Sequence, residues 1–345
     1  MTGPSPSRLA HAPGRVNLIG DHTDYNDGLA LPMAIDLGVE VTYAPGSGPH
    51  LVIHTDLDPA RAEIPVSGEL PTAALPPWAR LAGALVKLVG PVQGGLVEVR
   101  SDLPAGAGLS SSAAFAVALS LALGVEPMPI EVARLCQRAE RTIGVPIGMM
   151  DPLVSMAASA GHALLIDFAS LSTEAIALPD DVEVVVVDSA EPRRLEGSPY
   201  AARRAECEAA AAILGVPLGR ASARDLDRLS DPFLRRRATH VVSEVARVRA
   251  FAEALSSDDL AGAGGVMIES HRSLAVDFEV STAPLDALVE ALCSNPAVYG
   301  ARLTGAGFGG CVVALCRPGC ELGLPNWAWR VRPAGGAWVR VQTDR

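Results

Sequence analysis

A glycine- and serine-rich stretch of the sequence has residue types and spacing that suit the binding of an anion. In LPAGAGLSSSAAFAVALSLALG, residues 103–124, Gly106 and Gly108 precede three serines and a long run of helix-permitting residues. Glycines lack Cβ, so backbone N–H groups can approach an anion closely, and a helix start adds unpaired N–H groups and the positive end of its dipole. The stretch predicts a phosphate-binding loop whose hydroxyls donate to phosphate oxygens or ligate a magnesium ion held by a triphosphate. An N-cap serine cluster explains the same residues.

Two other segments place charged residues beside apolar ones. GRVNLIGDHTDYN, residues 14–26, gathers an arginine, aspartates, a histidine and a tyrosine around an apolar patch. Further along, GMMDPLVSM sets Asp151 at the start of an apolar helical run. A carboxylate there gains about 0.5–1 kcal/mol from capping and the helix dipole. From the residues alone, a structural and a chemical role for Asp151 therefore both stay open.

A third segment, ARLTGAGFGGCVVALC at residues 301–316, carries four glycines before an apolar run with β-branched residues. The pattern predicts a glycine loop that leads into a buried strand. Glycines let such a loop pass beside the phosphate loop, although glycine-rich turns also enter buried strands for packing reasons alone. By itself, this segment is a weak sign of a site.

The lysine content excludes several kinase classes. Lys87 is the single lysine, and it stands in LAGALVKLVG, which predicts a helix rather than a phosphate loop. A Walker A loop needs a lysine after its last glycine, and the protein-kinase pattern needs one on a strand near its glycine-rich loop. Any ATP site in this chain must therefore be built without a lysine.

Composition limits the fold and the classes of partner. The chain has 345 residues, 49% of them hydrophobic, which is enough for two domains with substantial cores. The net charge is −11 and no basic run stands out, so we expect neither nucleic acid nor an anionic membrane as a partner. The first ten residues lack a signal-peptide pattern and no apolar run reaches bilayer length, so we expect a cytosolic protein.

The six scattered cysteines predict reduced, mostly structural thiols, with neither zinc nor a disulfide framework.

Taken in order, the three glycine-bearing stretches resemble the three motifs of the GHMP small-molecule kinases, and GRVNLIGDHTDYN resembles the signature of the galactokinase branch. The similarity spans most of the chain and fades after Cys316. It implies an α+β fold with two domains, an N-terminal one resembling ribosomal protein S5 domain 2 (residues 1–175) and a ferredoxin-like C-terminal one (residues 176–345). It also implies an ATP- and Mg²⁺-dependent sugar-1-kinase, with nucleotide and sugar in a cleft between the domains, and a monomer.

The resemblance also assigns roles to individual residues. A carboxylate that orients or accepts the anomeric proton and a guanidinium near the transferred phosphoryl group are implied at Asp151 and Arg15. Carboxylates accept two hydrogen bonds at once and suit ring hydroxyls, and the implied sugar contacts are Asp21, His22, Asp24, Gly148 and Tyr200. The implied nucleotide contacts are Gly106, Gly108, Leu109, Ser110, Ser111 and Ser112. The implied magnesium ligands are Ser112 and Glu140.

Several residues depart from the family pattern beside the expected sugar. Asp21 replaces the usual glutamate, which retracts the carboxylate by one methylene, and Ile147 and Pro152 replace a cysteine and a glutamine near Asp151. The loop at residues 140–148 is also one residue shorter. Galactose is the first expectation. A kinase for another aldose or sugar derivative, such as N-acetylgalactosamine or arabinose, and a non-catalytic sugar and ATP sensor stay open.

Two predictions concern the second half of the chain. LPDDVEVVVVDS, residues 178–189, predicts a polar turn followed by a buried strand that opens the second domain. NWAWRVRPAGGAWVRVQ, residues 326–342, predicts two strands that form a hairpin around the PAGGA turn. The three consecutive arginines at 235–237 predict a solvated helix face.

Overall fold

The protein is an α+β structure of two sheets with helices packed against them, as expected from the sequence. The computed structural model describes residues 6–67, 75–104, 106–145, 148–191, 199–323 and 327–342. The strands are β1 (Ser7–Ile19), β2 (Leu29–Pro45), β3 (His50–Thr55), β4 (Asp58–Pro65), β5 (Gly95–Ser101), β6 (His162–Asp167), β7 (Ser172–Ala177), β8 (Glu183–Asp188), β9 (Val298–Thr304), β10 (Cys311–Cys316), β11 (Ala328–Val331) and β12 (Trp338–Gln342). The helices are α1 (Pro77–Val89), α2 (Ser111–Ala122), α3 (Pro129–Thr142), α4 (Met150–Ala157), α5 (Pro199–Leu214), α6 (Pro232–Ser256), α7 (Leu260–Val276) and α8 (Ala283–Cys293).

The first sheet holds the strand that begins the charged signature. Its strand order is β12-β1-β2-β5-β3-β4, and β6 and β7 extend from β2. The β1–β2 ladder is antiparallel, with register shifts between Pro13 and Arg15 and between Asn17 and Ile19. Bulges of this kind bend a strand and redirect its side chains. Helices α2 and α4 pack on β1, so the glycine-serine loop and the start of α4 meet beside Arg15.

The second sheet has the order β11-β8-β10-β9. Its central strands β8 and β10 are rich in valine and almost wholly buried, as predicted for residues 178–189 and 301–316. Helix α7 lies very close to β9, because a Cβ on Gly264 would come within 1.9 Å of the Tyr299 carbonyl oxygen. This close approach holds β9, which leads into residues 301–316, the third glycine segment, against helix α7.

The predicted C-terminal hairpin is wrong. Strand β11 pairs with β8 in the second sheet, whereas β12 pairs with β1 in the first. The PAGGA segment crosses between the sheets, and its amides donate to the first half of the chain, from Ala334 to Ala34 O at 2.9 Å and from Ala337 to Ser155 O at 2.7 Å. Alternating residues predict strands but not their partners. The domain boundary near residue 175 stays a prediction, and β12 lies in the first sheet.

The predicted solvated arginine face is wrong for Arg237. Its side chain is 2% exposed, forms ion pairs with Glu206 at 2.6 Å and with Glu279, and donates to the Asp277 carbonyl oxygen at 2.5 Å. Successive helix residues are about 100° apart, so one of three consecutive arginines can point inward while its neighbours stay partly exposed.

Within the described ranges, we find no helix that is both long and apolar enough to cross a bilayer.

Candidate active site

Arg15, Asp151 and Ser110 form the centre of the candidate site. Arg15 Nε and Nη2 donate to Asp151 Oδ1 and Oδ2 at 2.8 and 2.6 Å, a two-pronged contact that fixes the carboxylate plane. Ser110 Oγ donates to the same Oδ2 at 2.5 Å. The Asp151 side chain remains 26% exposed. The carboxylate is thus oriented from one side and accessible from the other.

Asp151 lies in the first turn of α4, but its hydrogen bonds are not those of a helix cap. The N-cap position is Met149, without a side-chain capping bond, and the carboxylate oxygens accept from Arg15 and Ser110. Ser110 is the N-cap residue of α2, in a left-handed conformation with φ of 64°, and its hydroxyl does not cap the helix either. Helix capping, the structural explanation that the sequence left open for both residues, therefore does not account for the hydrogen bonds of Asp151 and Ser110.

The glycine-serine loop is tied to β1 through its carbonyl groups. Arg15 Nη1 donates to Gly108 O at 2.9 Å, and the Arg15 amide donates to Leu109 O at 3.2 Å. Gly106 has φ of +77° and open space where a Cβ would point. With these carbonyls held by β1, the first turn of α2 offers amides that no preceding helical turn satisfies. Ser111 is exposed at this helix start, so the loop has the form of an anion cradle.

Ser112 and Glu140 meet beside this cradle. Ser112 Oγ donates to Glu140 Oε1 at 2.8 Å, and Glu140 is 2% exposed. Burial raises the pKa of Glu140 to about 7, and the negative charge of Asp151 acts in the same direction. A buried carboxylate to which the described residues offer no basic partner, next to a hydroxyl, fits a hard cation such as Mg²⁺, which prefers oxygen ligands.

Asp24 and Gly148 are in direct contact, and the charge of Asp151 acts on Asp24. A Cβ on Gly148 would come within 1.7 Å of Asp24 Oδ2, so the absence of a side chain at 148 makes room for the carboxylate. Burial, together with the nearby charge of Asp151, raises the pKa of Asp24 to about 6. The two carboxylates thus share one pocket. Ile147, a predicted departure beside this pocket, lies outside the described residues.

Aromatic rings form the wall next to Asp24. The ring of His22 lies 5.7 Å from Tyr200 and 4.5 Å from Phe278, measured between centroids, and His22 Nδ1 is 2.9 Å from the Tyr25 hydroxyl. Burial lowers the pKa of His22 to about 3, so its ring is neutral. His22 Nε2 is buried and lacks a hydrogen-bond partner among the described residues. A polar ligand in this pocket would supply one. Sequence reasoning noted the tyrosine of the signature, Tyr25, without giving it a role, and missed Phe278.

Asp21 has protein partners on both carboxylate oxygens. Oδ1 accepts from the Gly305 amide at 2.8 Å and Oδ2 forms an ion pair with Arg302, whose side chain is fully buried. Asp21 is therefore held at the edge of the pocket by the third glycine segment. Sequence reasoning missed Arg302, although an arginine inside the otherwise uncharged strand VYGARLT was a usable signal.

A separate group of ligand-type side chains lies away from the cleft. Donor atoms of Glu183, Cys316 and Cys320 lie within 4.8 Å of one another. Glu183 Oε2, however, is paired with Arg330 and accepts from the Gly319 amide at 3.2 Å, and burial raises the pKa of the Cys316 thiol. The charge of Glu183 is already compensated, so this group fits a structural role. All six cysteines are free thiols.

Family models and relatives agree on one classification. The galactokinase galactose-binding signature matches residues 2–45, and the GHMP kinases N terminal and C terminal domains match residues 79–159 and 251–319. A galactokinase of Chloroflexus aurantiacus is 41% identical over 335 residues, covering 91% of this chain and 85% of the relative. A galactokinase of Homo sapiens is 39% identical, covering 91% and 84%.

Solved structures extend the same likeness. The Lactococcus lactis galactokinase complexed with galactose superposes with a TM-score of 0.89 at 26% identity, covering 96% of this chain and 95% of that one. The Methanococcus jannaschii mevalonate kinase, at 18% identity and a TM-score of 0.68, shares the fold. With family models on both halves and relatives near 40% identity along most of its length, the chain belongs to the galactokinase branch of the GHMP kinases.

Proposed function

We propose that this protein transfers the γ-phosphoryl group of ATP to the anomeric hydroxyl of galactose. The observation that carries the proposal is the contact of Asp151 with both Arg15 and Ser110 at the start of α2. The partly exposed Asp151 carboxylate lies next to the anion cradle, which supports a role for it in binding the acceptor hydroxyl. The curated galactokinases, at about 40% identity, and the galactose complex of the Lactococcus lactis enzyme support galactose as the sugar.

In this proposal Asp151 accepts a hydrogen bond from the anomeric hydroxyl and takes its proton. The sugar oxygen forms its bond to the γ-phosphorus while the bond between that phosphorus and the bridging oxygen of the β-phosphate breaks, and ADP leaves. Phosphoryl transfer has a loose transition state with charge on the equatorial oxygens, so positioning and electrostatic stabilisation supply most of the acceleration. Arg15 holds Asp151 in place and sets a positive charge beside the phosphate loop. Asp24 and His22 Nε2, which has no hydrogen-bond partner among the described residues, bind the sugar hydroxyls.

Ser112 and Glu140 are the proposed ligands of a magnesium ion. A magnesium ion held there together with ATP would supply positive charge to neutralise the phosphate groups. Ser112 supplies a hydroxyl oxygen and Glu140 a buried carboxylate that the described residues leave without a basic partner. We also keep a cytosolic location, a monomeric state and a domain boundary near residue 175 as predictions.

The pH dependence of Mg²⁺ binding tests Glu140. Because its pKa is about 7, Glu140 is largely protonated at pH 6 and ionised at pH 8. Binding of Mg²⁺ with a non-hydrolysable ATP analogue should therefore weaken as the pH falls, and should release part of a proton near pH 7. Calorimetry in buffers of different ionisation enthalpy measures that release. Glu140→Gln should reduce this release to the part that comes from the terminal phosphate of the analogue, and should weaken binding about tenfold or more.

A second glutamate on the same helix serves as the control. Glu131 is an exposed residue of α3 with a side chain 66% accessible, and Glu131→Gln should bind the analogue and release protons as the wild type does. Equal proton release by the wild type and Glu140→Gln would contradict the assignment of Glu140.

A coupled ADP-release assay with galactose, N-acetylgalactosamine, arabinose, glucose and fucose tests the function. Galactose should give the highest kcat/KM. A second candidate, a different aldose or sugar derivative, is favoured by one observation: the short Asp21 side chain ends at Arg302 and Gly305. Preferred turnover of another sugar would establish that candidate. Thermal stabilisation by galactose and ATP without ADP release would indicate a sensor and refute the kinase.

A further inference from the structure

Arg302 is a buried arginine that contacts the sugar signature. It lies in β9 and its side chain has no exposed surface. Its guanidinium forms an ion pair with Asp21 and donates to Leu18 O at 3.1 Å and to Ser270 Oγ at 3.1 Å. A fully buried charge is tolerated when it is paired and hydrogen-bonded. The Arg302 guanidinium thus links Leu18 and Asp21 of the signature to Ser270 of helix α7.

These contacts hold together two sheets that share no main-chain ladder in the described residues. Strand β1 belongs to the first sheet and β9 to the second. Besides Arg302, the Thr304 hydroxyl donates to Asn17 O at 2.9 Å, and the Gly305 amide donates to Asp21 Oδ1 at 2.8 Å. Arg302, Thr304 and Gly305 therefore hold residues 17–21 in place. We call residues 17–22 the sugar turn.

A buried acidic residue, Glu244, also contacts the sugar turn. Glu244 of α6 is fully buried, and its Oε1 accepts from the Gly20 amide at 3.1 Å and from Ser270 Oγ at 2.6 Å. Burial alone would raise the pKa of Glu244, but His240 and the charges of Arg247 and Arg302 lower it to about 2. Glu244 is thus ionised and its charge is matched, so the network can hold the turn rigidly.

We propose that Arg302 is a positioning residue for the sugar: by fixing Asp21 and Leu18 it holds the sugar turn in the conformation from which His22 and Asp24 reach the pocket. This inference rests on the proposed galactose site. His22 follows Asp21 directly, and its Nε2 is buried and unpartnered among the described residues, so a shift of Asp21 also moves His22. None of the hydrogen bonds of Arg302 involve Arg15, Ser110 or Asp151.

Arg302→Lys tests the proposal because it keeps the charge and removes the fork. We expect the galactose Kd, measured by calorimetry without ATP, and the galactose KM to rise about tenfold. This rise corresponds to the loss of roughly one charge-assisted hydrogen bond. The KM for ATP and kcat should stay within about twofold, because the transferring centre keeps its contacts. A residue that only stabilised the fold would not separate the two substrates in this way.

Arg302→Met extends the test but leaves Asp21 buried and unpaired, so we expect a lower Tm. The double variant Asp21→Asn, Arg302→Met removes both charges and should recover much of that Tm while galactose binding stays weak. Leu51→Ala is the control for stability alone. Leu51 is a fully buried residue of β3, and its truncation should lower the Tm by a comparable amount with the galactose Kd unchanged.

Two results would overturn the inference. One is a folded Arg302→Lys protein that binds galactose with wild-type affinity, and the other is a parallel loss of kcat and of affinity for both substrates. A wild-type protein that binds no galactose would refute the proposed function and the inference with it. Normal galactose binding by Arg302→Lys, in contrast, refutes the inference alone.

Discussion

Asp151→Asn should lower kcat for galactose phosphorylation by about a thousandfold or more, while ATP still protects the protein against heat. A positioned general base contributes about 10²–10⁴ in rate. The substitution also removes one acceptor of the two-pronged contact, because an amide nitrogen would face an Arg15 or Ser110 donor. Arg15 keeps its bond to Gly108 O, so the phosphate loop and nucleotide binding should persist.

Turnover and ATP-dependent melting of the same preparation measure this effect. Asp167→Asn is a matched control, because Asp167 is also an aspartate paired with an arginine, Arg220, but lies at the end of β6 outside the Arg15 contacts. It should keep near-normal kcat. Turnover by Asp151→Asn within tenfold of the wild type would refute the catalytic assignment, and loss of ATP protection would point to a structural role.

Gly148→Ala should raise the galactose KM by about a hundredfold. The added Cβ would lie 1.7 Å from Asp24 Oδ2 and 2.9 Å from Asp24 Cγ. These atoms are the tip of a side chain, so the carboxylate moves and the fold remains. Loss of two hydrogen bonds to a charged acceptor costs roughly 3 kcal/mol or more, which corresponds to about two powers of ten in affinity.

Steady-state kinetics with both substrates test the Gly148 prediction. The KM for ATP should change little, because the added methyl group points at Asp24. Gly265→Ala provides the control, since nothing lies within 4 Å of its added Cβ on helix α7. That change should leave the galactose KM unaltered and stabilise the helix by about 0.5–1 kcal/mol. A wild-type galactose KM for Gly148→Ala would show that Asp24 does not bind the sugar.

Local patterns in the sequence predicted the local structure well. The glycine-serine stretch does open a buried helix, Asp151 does lie in the first turn of α4, and residues 183–188 do form a buried strand. Each of these depends on neighbours within a few positions. The pairing of β12 with β1 depends instead on a partner more than three hundred residues away, and an alternating pattern fits any strand with a free edge.

The candidate site, too, could be predicted from the sequence only in part. The residue types around Arg15 and Asp151 were visible in the sequence, and the resemblance to the GHMP kinases gave them roles. The side chain that occupies Asp21 was not visible, because Arg302 lies 281 positions further along the chain. A charged residue within an uncharged strand signals a buried partner, but only the fold identifies it. Arg237 was missed for the same reason.

The pairing of β12 with β1 also bears on how the protein is made. Residues 7–11 emerge from the ribosome early, yet their partners at 338–342 follow hundreds of residues later. At a translation rate of about 5–20 residues per second, one edge of β1, the strand that carries Arg15, stays unpaired for roughly tens of seconds. A nascent chain in that interval offers an open edge to other polypeptides, so chaperone capture during synthesis should matter more here than for a protein whose early strands pair at once.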